Sequence, residues 1–563
     1  MFLIECGLVL VAVLFAFAAP TTGSRFFQAV ERPFARLSRR RRIAVVAVGG
    51  TALAVHAMAL PILHIPSPGF HDEFSYLLMG DTFAHGRLTN PTHPMWVHFE
   101  TFHVNWKPTY CAKYYPAQGV ILAIGQVLFG NPFSGVWLSA GLMCAAICWM
   151  LQAWVAPIWA LLGGMLAIPL LGTFSYWAHH YWGGAAAAIG GSLVLGALPR
   201  IKRRRWVRDA AIMGLGVAIL MNSRPYESLF LCAPVGVALM LWILAKTSPP
   251  LGQKFKTVIL PLGIVLMIGA GATMYYYWRT TGTPLRPPYV ANMQAYDPIP
   301  LFPWQPVRPI PHYNHALMQS FYLGDAFEHY QSARLHPFGT VLVRTANLWT
   351  FFLGPLLTLP LCIAVFTLPG GMSLRDISHN TLFLLLLCLS GFTGFMLPVY
   401  FIPHYAAPFT AAVYALVVRA MQRVRRWHWR QRKTGLFIVR TVPMIAVVLL
   451  FLRLAASPLH LRIVSPIWSA TGALGPQLLD RARIASELNG RGGRHLIIVR
   501  YAPDHNRNWE WVYNEADIDH ASIVWARDMG PSRNQELIDY FKDRQLWVVN
   551  ADEKPPRPIR CAF

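Results

Sequence analysis

Charge is what this 563-residue chain has little of. Only 13% of it is Asp, Glu, Lys or Arg, while 55% is hydrophobic. An ordinary soluble protein is about 25% charged. The deficit excludes a soluble globular chain, and the hydrophobic content excludes disorder over most of the length. Acids are scarcer still: 25 Asp and Glu stand against 49 Lys and Arg, a formal net charge of +24. A nucleic-acid-binding face does not follow, because the basic residues fall in short runs between apolar segments. The clearest are "RLSRRRR" (36–42), "RIKRRRWVR" (200–208) and "RVRRWHWRQRK" (423–433), the pattern that sets membrane orientation. Cysteine is also scarce. Six of the eight lie in apolar segments as small core residues, and only Cys111 and Cys561 lie outside them, so no disulfide scaffold is written here. There is no internal repeat and no low-complexity tract. There is also no phosphate-cradling loop. "GRGGRH" (490–495) precedes a strand, whereas such a loop follows a strand and opens a helix.

What is present is apolar length. A transmembrane helix needs about 20 apolar residues. Candidate spans are 2–20, 43–63, 131–154, 157–174, 184–199, 209–222, 227–246, 257–278, 341–367, 381–400, 407–421 and 436–456, about twelve in all. The first, "MFLIECGLVLVAVLFAFAAP", lacks a basic start and carries Glu5, so it reads as a span rather than a signal peptide. With residues 21–42 in the cytoplasm, alternation puts 200–208, 246–256 and 421–435 there too. Loops 64–130, 175–183, 223–226, 279–340, 401–406 and the tail from 457 then face outward. "AQGVILAIGQVLFG" (117–130) is too short to span and reads as an interfacial helix.

The expected fold is an all-α polytopic membrane protein with a small soluble α/β domain at its C-terminus. Residues 1–42 form a first span and a basic segment, 43–456 the main membrane domain, and 457–563 the outer tail. In that tail, 494–501, 521–529 and 545–552 read as strands, and "PQLLDRARIASELNG" and "RNQELIDYFKDR" as helices, each before a strand.

The polar clusters converge on the outward side: "PGFHDEFSYLLMGDTFAHGRL" (68–88), "KYYPAQG" (113–119), "SYWAHHYWGG" (175–184), "NSRPYE" (222–227), "GTPLRPPYVANMQAYDPIPLFPWQP" (282–306) and "YFIPHYAAP" (400–408). Polar residues at the edge of a membrane core are costly and usually line a site. An acidic pair just after an early span, many helices, an outward Tyr/Pro-rich stretch and an outer tail resemble the GT-C glycosyltransferases, in particular the protein O-mannosyltransferase and aminoarabinose lipid A transferase branch, over about residues 43–420. The resemblance implies a polyprenyl-phosphate-linked sugar donor, an inverting transfer and a catalytic carboxylate at Asp72. The "HHYWGG", "RPYE" and "PHYAAP" segments and the tail depart from that pattern, which leaves the sugar and the acceptor open.

Transfer from a lipid phosphate needs a base for the acceptor's proton and cations for the departing phosphate. Asp72 is the candidate base; the alternative is a helix N-cap. Glu73 points about 100° away on a helix and is a second catalytic candidate or an orienting group. Lys113, Arg224 and Arg279 are the phosphate candidates, with Lys107 a less favoured substitute; each sits at the outer end of an apolar span, where the alternative is snorkelling to headgroups. Glu227 stands beside Arg224. His179, His180 and His404, with Tyr405, are substrate-binding candidates or interfacial packing. No cofactor is certain. A divalent metal is an open alternative at the histidines and at His71, Asp72 and Glu73, although no histidine pair has the i, i+4 spacing of a zinc motif. The expected partners are the lipid-linked donor, a lipid, glycan or protein acceptor and membrane lipids, with no nucleic acid, in an inner, multi-pass cell membrane with the site outside. The rivals are a lipid-linked saccharide transporter or flippase and a non-enzymatic envelope-assembly protein. Cys111 and Cys561 would face the same side, either bonded to each other or as two free thiols.

Overall fold

The computed structural model describes residues 1–204, 206–245, 249–367, 377–461 and 479–561. Parts of three sequence expectations therefore lie outside the described residues: Arg205, loop positions 246–248, and 462–478 with the start of the first tail helix. The chain is mostly helical. Among the described residues, seven helices are long and apolar enough to cross a membrane: Arg41–Leu63, Pro132–Trp154, Gly184–Arg204, Pro225–Leu244, Leu251–Thr281, His379–Met396 and Thr434–Ala456. Punctuation in the sequence sets several of their ends. Asn131 caps Pro132–Trp154 by accepting the Phe133 N–H at 2.8 Å, with Pro132 at the first helical position. Gly282 closes Leu251–Thr281 with φ +81°.

Twelve spans was too simple a reading. The expected span 341–367 is two helices, Pro337–Phe352 and Gly354–Phe366, bent by 96°. Gly354 has φ +53°, and a Cβ there would meet the Glu5 carboxylate. Glu5, the odd acid of the first apolar run, accepts the Leu356 N–H at 2.8 Å, satisfying a donor that the second helix's start leaves unpaired. Phe2–Ala18, Pro116–Phe129 and Pro157–Gly172 are apolar but short. Counting the bent pair as one span gives eight by length and composition.

The basic runs meet at one end of the bundle. Arg440 and Arg425 both pair with Glu31, Gln152 donates to the Arg41 carbonyl and Arg423 to that of Thr367. The acidic helix His71–Ala84 follows Arg41–Leu63 at that helix's other end. Helix Pro116–Phe129 packs on His71–Ala84 and leaves Val120, Ile124, Val127 and Leu128 exposed, an apolar stripe of the kind an interfacial helix turns to lipid.

Among the described residues, two small sheets lie at that end. Strands β1 (Val104–Asn105) and β2 (Cys111–Ala112) pair antiparallel in the first loop. In the tail, β3 (His495–Arg500) pairs in parallel with β4 (Ile523–Arg527) and with β5 (Gln545–Asn550), and β6 (Ile559–Arg560) closes the order β4-β3-β5-β6. Helices Leu479–Arg491 and Pro531–Tyr540 accompany them. Gly492 and Gly493, both at positive φ, stop the first of these helices before β3, so the glycine run is a helix stop. The tail's apolar core is not its own. Phe74 and Leu78 of the acidic helix and Phe99, Val104, Trp106 and Tyr110 of the first loop share one buried cluster with Leu496, Trp525 and Trp547. The Phe74 ring stacks on Tyr513 at 4.3 Å. Arg527 donates to the Glu100 carbonyl at 2.9 Å. Cys111 and Cys561 are both free, so this shared core, with no disulfide, ties the tail to the loop. Truncation after residue 478 exposes those six side chains, a loss of roughly 10 kcal/mol at about 1.5–3 kcal/mol each. We expect the truncated protein to aggregate on extraction, read by size-exclusion chromatography; a monodisperse product of unchanged melting temperature would show that the shared core carries no stability.

Candidate active site

The first turn of His71–Ala84 separates its two acids, because successive residues on a helix point about 100° apart. Glu73 turns inward and is fully buried. One oxygen accepts the Gly69 N–H at 2.9 Å and the Phe70 N–H at 3.3 Å, reaching back over the helix start. The other accepts His180 Nδ1–H at 3.1 Å and the Tyr181 N–H at 3.2 Å. Both oxygens are thus held by four donors that join the acidic loop to segment 173–183. Burial pushes the Glu73 carboxyl up, but the His180 contact and the Gly69 and Tyr181 N–H groups outweigh it, and the net direction is down from about 4.5. A depressed carboxylate contributes stability that is complete above its unfolded value and is lost as pH falls through the folded one. Glu73→Gln places an NH2 against N–H donors and should cost about 3 kcal/mol, read as a lower melting temperature at pH 7 and a weaker loss of stability below about pH 4.5. An unchanged melting curve would remove the structural role.

Asp72 faces the other way and is half-buried. Its Oδ1 accepts the Tyr114 hydroxyl. Tyr114 stacks on Tyr76 at 4.5 Å, and Tyr76 lies one helical turn beyond Asp72. Two cations lie close to this group, Lys113 buried and Arg224 half-buried. Lys113 follows β2, where its N–H donates to the His103 carbonyl. Its Nζ is 3.4 Å from His103 Nδ1 and 4.8 Å from the centre of the Tyr289 ring. Burial lowers the Lys113 pKa; Asp297 and Asp72 oppose the shift, yet among the described residues neither forms a close ion pair with it. Burial in turn raises the Asp297 carboxyl, against Lys113. On the other side, Arg224 caps Pro225–Leu244. Its guanidinium lies 4.1 Å from the centre of the Tyr405 ring and donates to His404 Nε2. It also interacts with Tyr76, Glu227 and Tyr114. Burial, reinforced by Arg224, holds His404 well below the usual histidine range, so the neutral ring can accept. The Tyr176 hydroxyl sits 3.2 Å from its other nitrogen.

The structure thus gathers Asp72, Lys113, Arg224, Glu227, His404 and Tyr405. It sets Glu73 and His180 behind them as a brace. His179 lies against His56 at 3.3 Å and packs on Phe133, and burial, with His56 and His180, takes its pKa down to about 3. Arg279 does not join. It is exposed and donates to the Tyr275 hydroxyl at 3.2 Å. Lys107 is exposed over Trp96. His71 stacks on Phe102 and reaches the Arg507 carbonyl of the tail at 3.1 Å. Among the described residues no group of three His, Cys, Asp or Glu side chains could hold a metal: Glu73 and His71, two members of the set weighed above, are turned to other partners. Sequence reasoning missed Tyr76, Tyr114, His103, Tyr289 and Asp297. Tyr76, at i+4 from Asp72, was readable, and Tyr114, Tyr289 and Asp297 lie inside motifs singled out for other members.

The fold of this bundle, with its braced acidic first loop, has solved counterparts. The particular likeness is to ArnT from Cupriavidus metallidurans in the apo state, at 13% identity over 90% of this chain and 92% of that one, TM-score 0.50. The same protein bound to undecaprenyl phosphate aligns at 14% identity over 90% and 92%, TM-score 0.47. The Archaeoglobus fulgidus oligosaccharyltransferase tethered with an acceptor peptide aligns at 10% identity over 90% and 69%, TM-score 0.42. At such identities the likeness is one of fold. No protein-family model and no curated protein matches the sequence.

Proposed function

We propose that the protein is an inverting glycosyltransferase that moves a sugar from a polyprenyl-phosphate donor to an acceptor on the extracytoplasmic face of a cell membrane. The observation that carries this reading is the pair of cations, the buried Lys113 and the half-buried Arg224, close to the hydrogen-bonded Asp72 and Tyr114. A buried cation without a close carboxylate is costly, and a phosphate between the two would relieve that cost. The GT-C fold supports the same reading.

In the proposed reaction Tyr114 holds Asp72 Oδ1, leaving Oδ2 to take a proton from the acceptor's hydroxyl or amine. That oxygen or nitrogen forms a bond to the anomeric carbon as the bond from that carbon to the phosphate oxygen breaks on the opposite face, which inverts the centre. The electron pair leaves with the polyprenyl phosphate, whose charge Lys113 and Arg224 stabilise. His404 and Tyr405 aim the guanidinium, Glu227 balances it, and Tyr289 supplies an aromatic surface beside Lys113. The acceptor is a lipid, glycan or protein. No step is routed through a metal, and Arg279 is left to lipid headgroups. The test is mass spectrometry of glycoconjugates from cells with and without the protein, joined to transfer by purified protein from polyprenyl-phosphate sugars. Loss of one sugar modification is expected. An unchanged glycan profile with altered sidedness of the lipid carrier would establish a transporter instead.

A further inference from the structure

The opposite end of the bundle holds a cavity that the proposed chemistry leaves unused. Its volume is about 650 Å³, and Arg41, Lys202 and Arg203 line it with the side-chain amides of Gln152, Asn380 and Gln422. Among the described residues no acidic side chain lines it. Helix Gly184–Arg204 runs from the candidate active site to this cavity, a distance of about 30 Å.

One of these cations is held in place, and Arg41 and Arg203 are exposed. Arg203 donates to the Pro199 carbonyl at 3.1 Å and to that of Ala153, which fixes its guanidinium on the wall. Gln152 donates to the Arg41 carbonyl at 2.8 Å and ties the two neighbouring helix ends together. Lys202 is half-buried. The floor is apolar and includes Trp154, Val155 and Pro157, and the Trp154 ring stacks on Phe383. Ala156 and Pro157 at this floor begin helix Pro157–Ala167, whose first-turn N–H groups add positive potential to that of the three side chains. Three formal positive charges, amide donors and an apolar floor match one chemistry: a phosphate group attached to a hydrocarbon.

We propose that this cavity binds the phosphate of an anionic phospholipid in the leaflet on the basic side of the membrane. Arg41, Lys202 and Arg203 ligate the phosphate oxygens, and the apolar floor receives the first part of the acyl chains. The diffuse attraction of the other basic residues to an anionic surface does not by itself fix one lipid. The cavity does, and it gives the protein a lipid-dependent anchor remote from Asp72.

The probe is phosphatidylglycerol in mixed micelles with phosphatidylcholine, with retained lipid counted on the intact purified protein by native mass spectrometry. The wild type should keep one phosphatidylglycerol through delipidation. Lys202→Gln/Arg203→Gln should lose it by about 25-fold, at roughly fivefold per cation, while Lys202→Arg retains it. Arg36→Gln/Arg39→Gln, which removes two cations from the same end but outside the cavity, should retain it as well. Equal loss in both double variants would reduce the effect to diffuse surface charge and overturn the proposal, as would full retention in Lys202→Gln/Arg203→Gln. Displacement of the lipid by millimolar inorganic phosphate would assign the cavity to a free anion and overturn it too. Thermal melting of each variant separates lost binding from lost fold: a Lys202→Gln/Arg203→Gln protein that melts like the wild type and lacks the lipid supports the site, and one that keeps the lipid refutes it. None of these outcomes depends on whether Asp72 is a catalytic base.

Discussion

Asp72→Asn in the purified protein is expected to cut sugar transfer about 100-fold or more, since a positioned general base contributes roughly 10²–10⁴. Asparagine keeps the size of the side chain and leaves an oxygen to accept the Tyr114 hydroxyl, so the first turn of His71–Ala84 should persist and the melting temperature should stay near that of the wild type. What the amide cannot do is take the acceptor's proton. The loss should fall on kcat, with donor KM little changed, because Asp72 acts on the acceptor and the donor's phosphate is held by other groups. Glu73→Gln, one residue on, should give the reverse pattern: a lower melting temperature with near-normal turnover per folded molecule. Near-normal turnover in Asp72→Asn would end its assignment as base, and a collapse of stability in that variant would reduce Asp72 to a structural partner of Tyr114; it is not the helix cap, because the helix starts at His71 with Phe70 at the cap position.

The contrast between these neighbours marks where the sequence could be read and where it could not. An acidic pair after an early span pointed to this loop, and the 100° step between adjacent helix positions already required the two side chains to part. Which of them turned inward depended on His180 and the Tyr181 N–H, more than a hundred residues away. Arg279 shows the same limit. Its place at a span's end was legible, but the face it takes on its helix is set by packing, and it faces out beside Tyr275. Arg224 has a similar sequence context and faces in because the ring of Tyr405 and the imidazole of His404 receive it. The bend at Leu353 was readable in the Gly354–Pro355 dipeptide, yet the apolar run around it masked the signal. In the tail, alternation and turn residues announced the strands. They could not announce that the tail's apolar residues would share one buried cluster with Phe74 and Trp106, since period-2 patterning identifies an apolar face and not its partner.

The second large effect concerns the leaving group. Lys113→Ala and Arg224→Ala should each lower kcat/KM for the polyprenyl-phosphate donor by about 10²–10³, the scale on which one preorganised charge stabiliser acts. The two variants should differ in kind. Lys113 is a compact ammonium beside His103 and Tyr289, and burial already depresses its pKa against the pull of Asp297 and Asp72. Its charged form therefore depends on negative charge nearby, and a donor phosphate would supply more. Lys113→Arg should rescue poorly, because a planar fork does not replace a point charge in that space. Arg224 is held by a ring below and a neutral histidine beside it, a setting that presents its remaining donors in a fixed direction. Arg224→Lys loses the stacking and the fork and should recover little. His404→Ala, which leaves the cation present but unaimed, should cost about tenfold less than Arg224→Ala. Removing both cations should cost less than the product of the single losses, because the two act on one phosphate and neighbouring sites are not additive. If both single variants turn over with unchanged donor KM and kcat, the phosphate is held elsewhere. The burial of Lys113 would then require another anion to account for it.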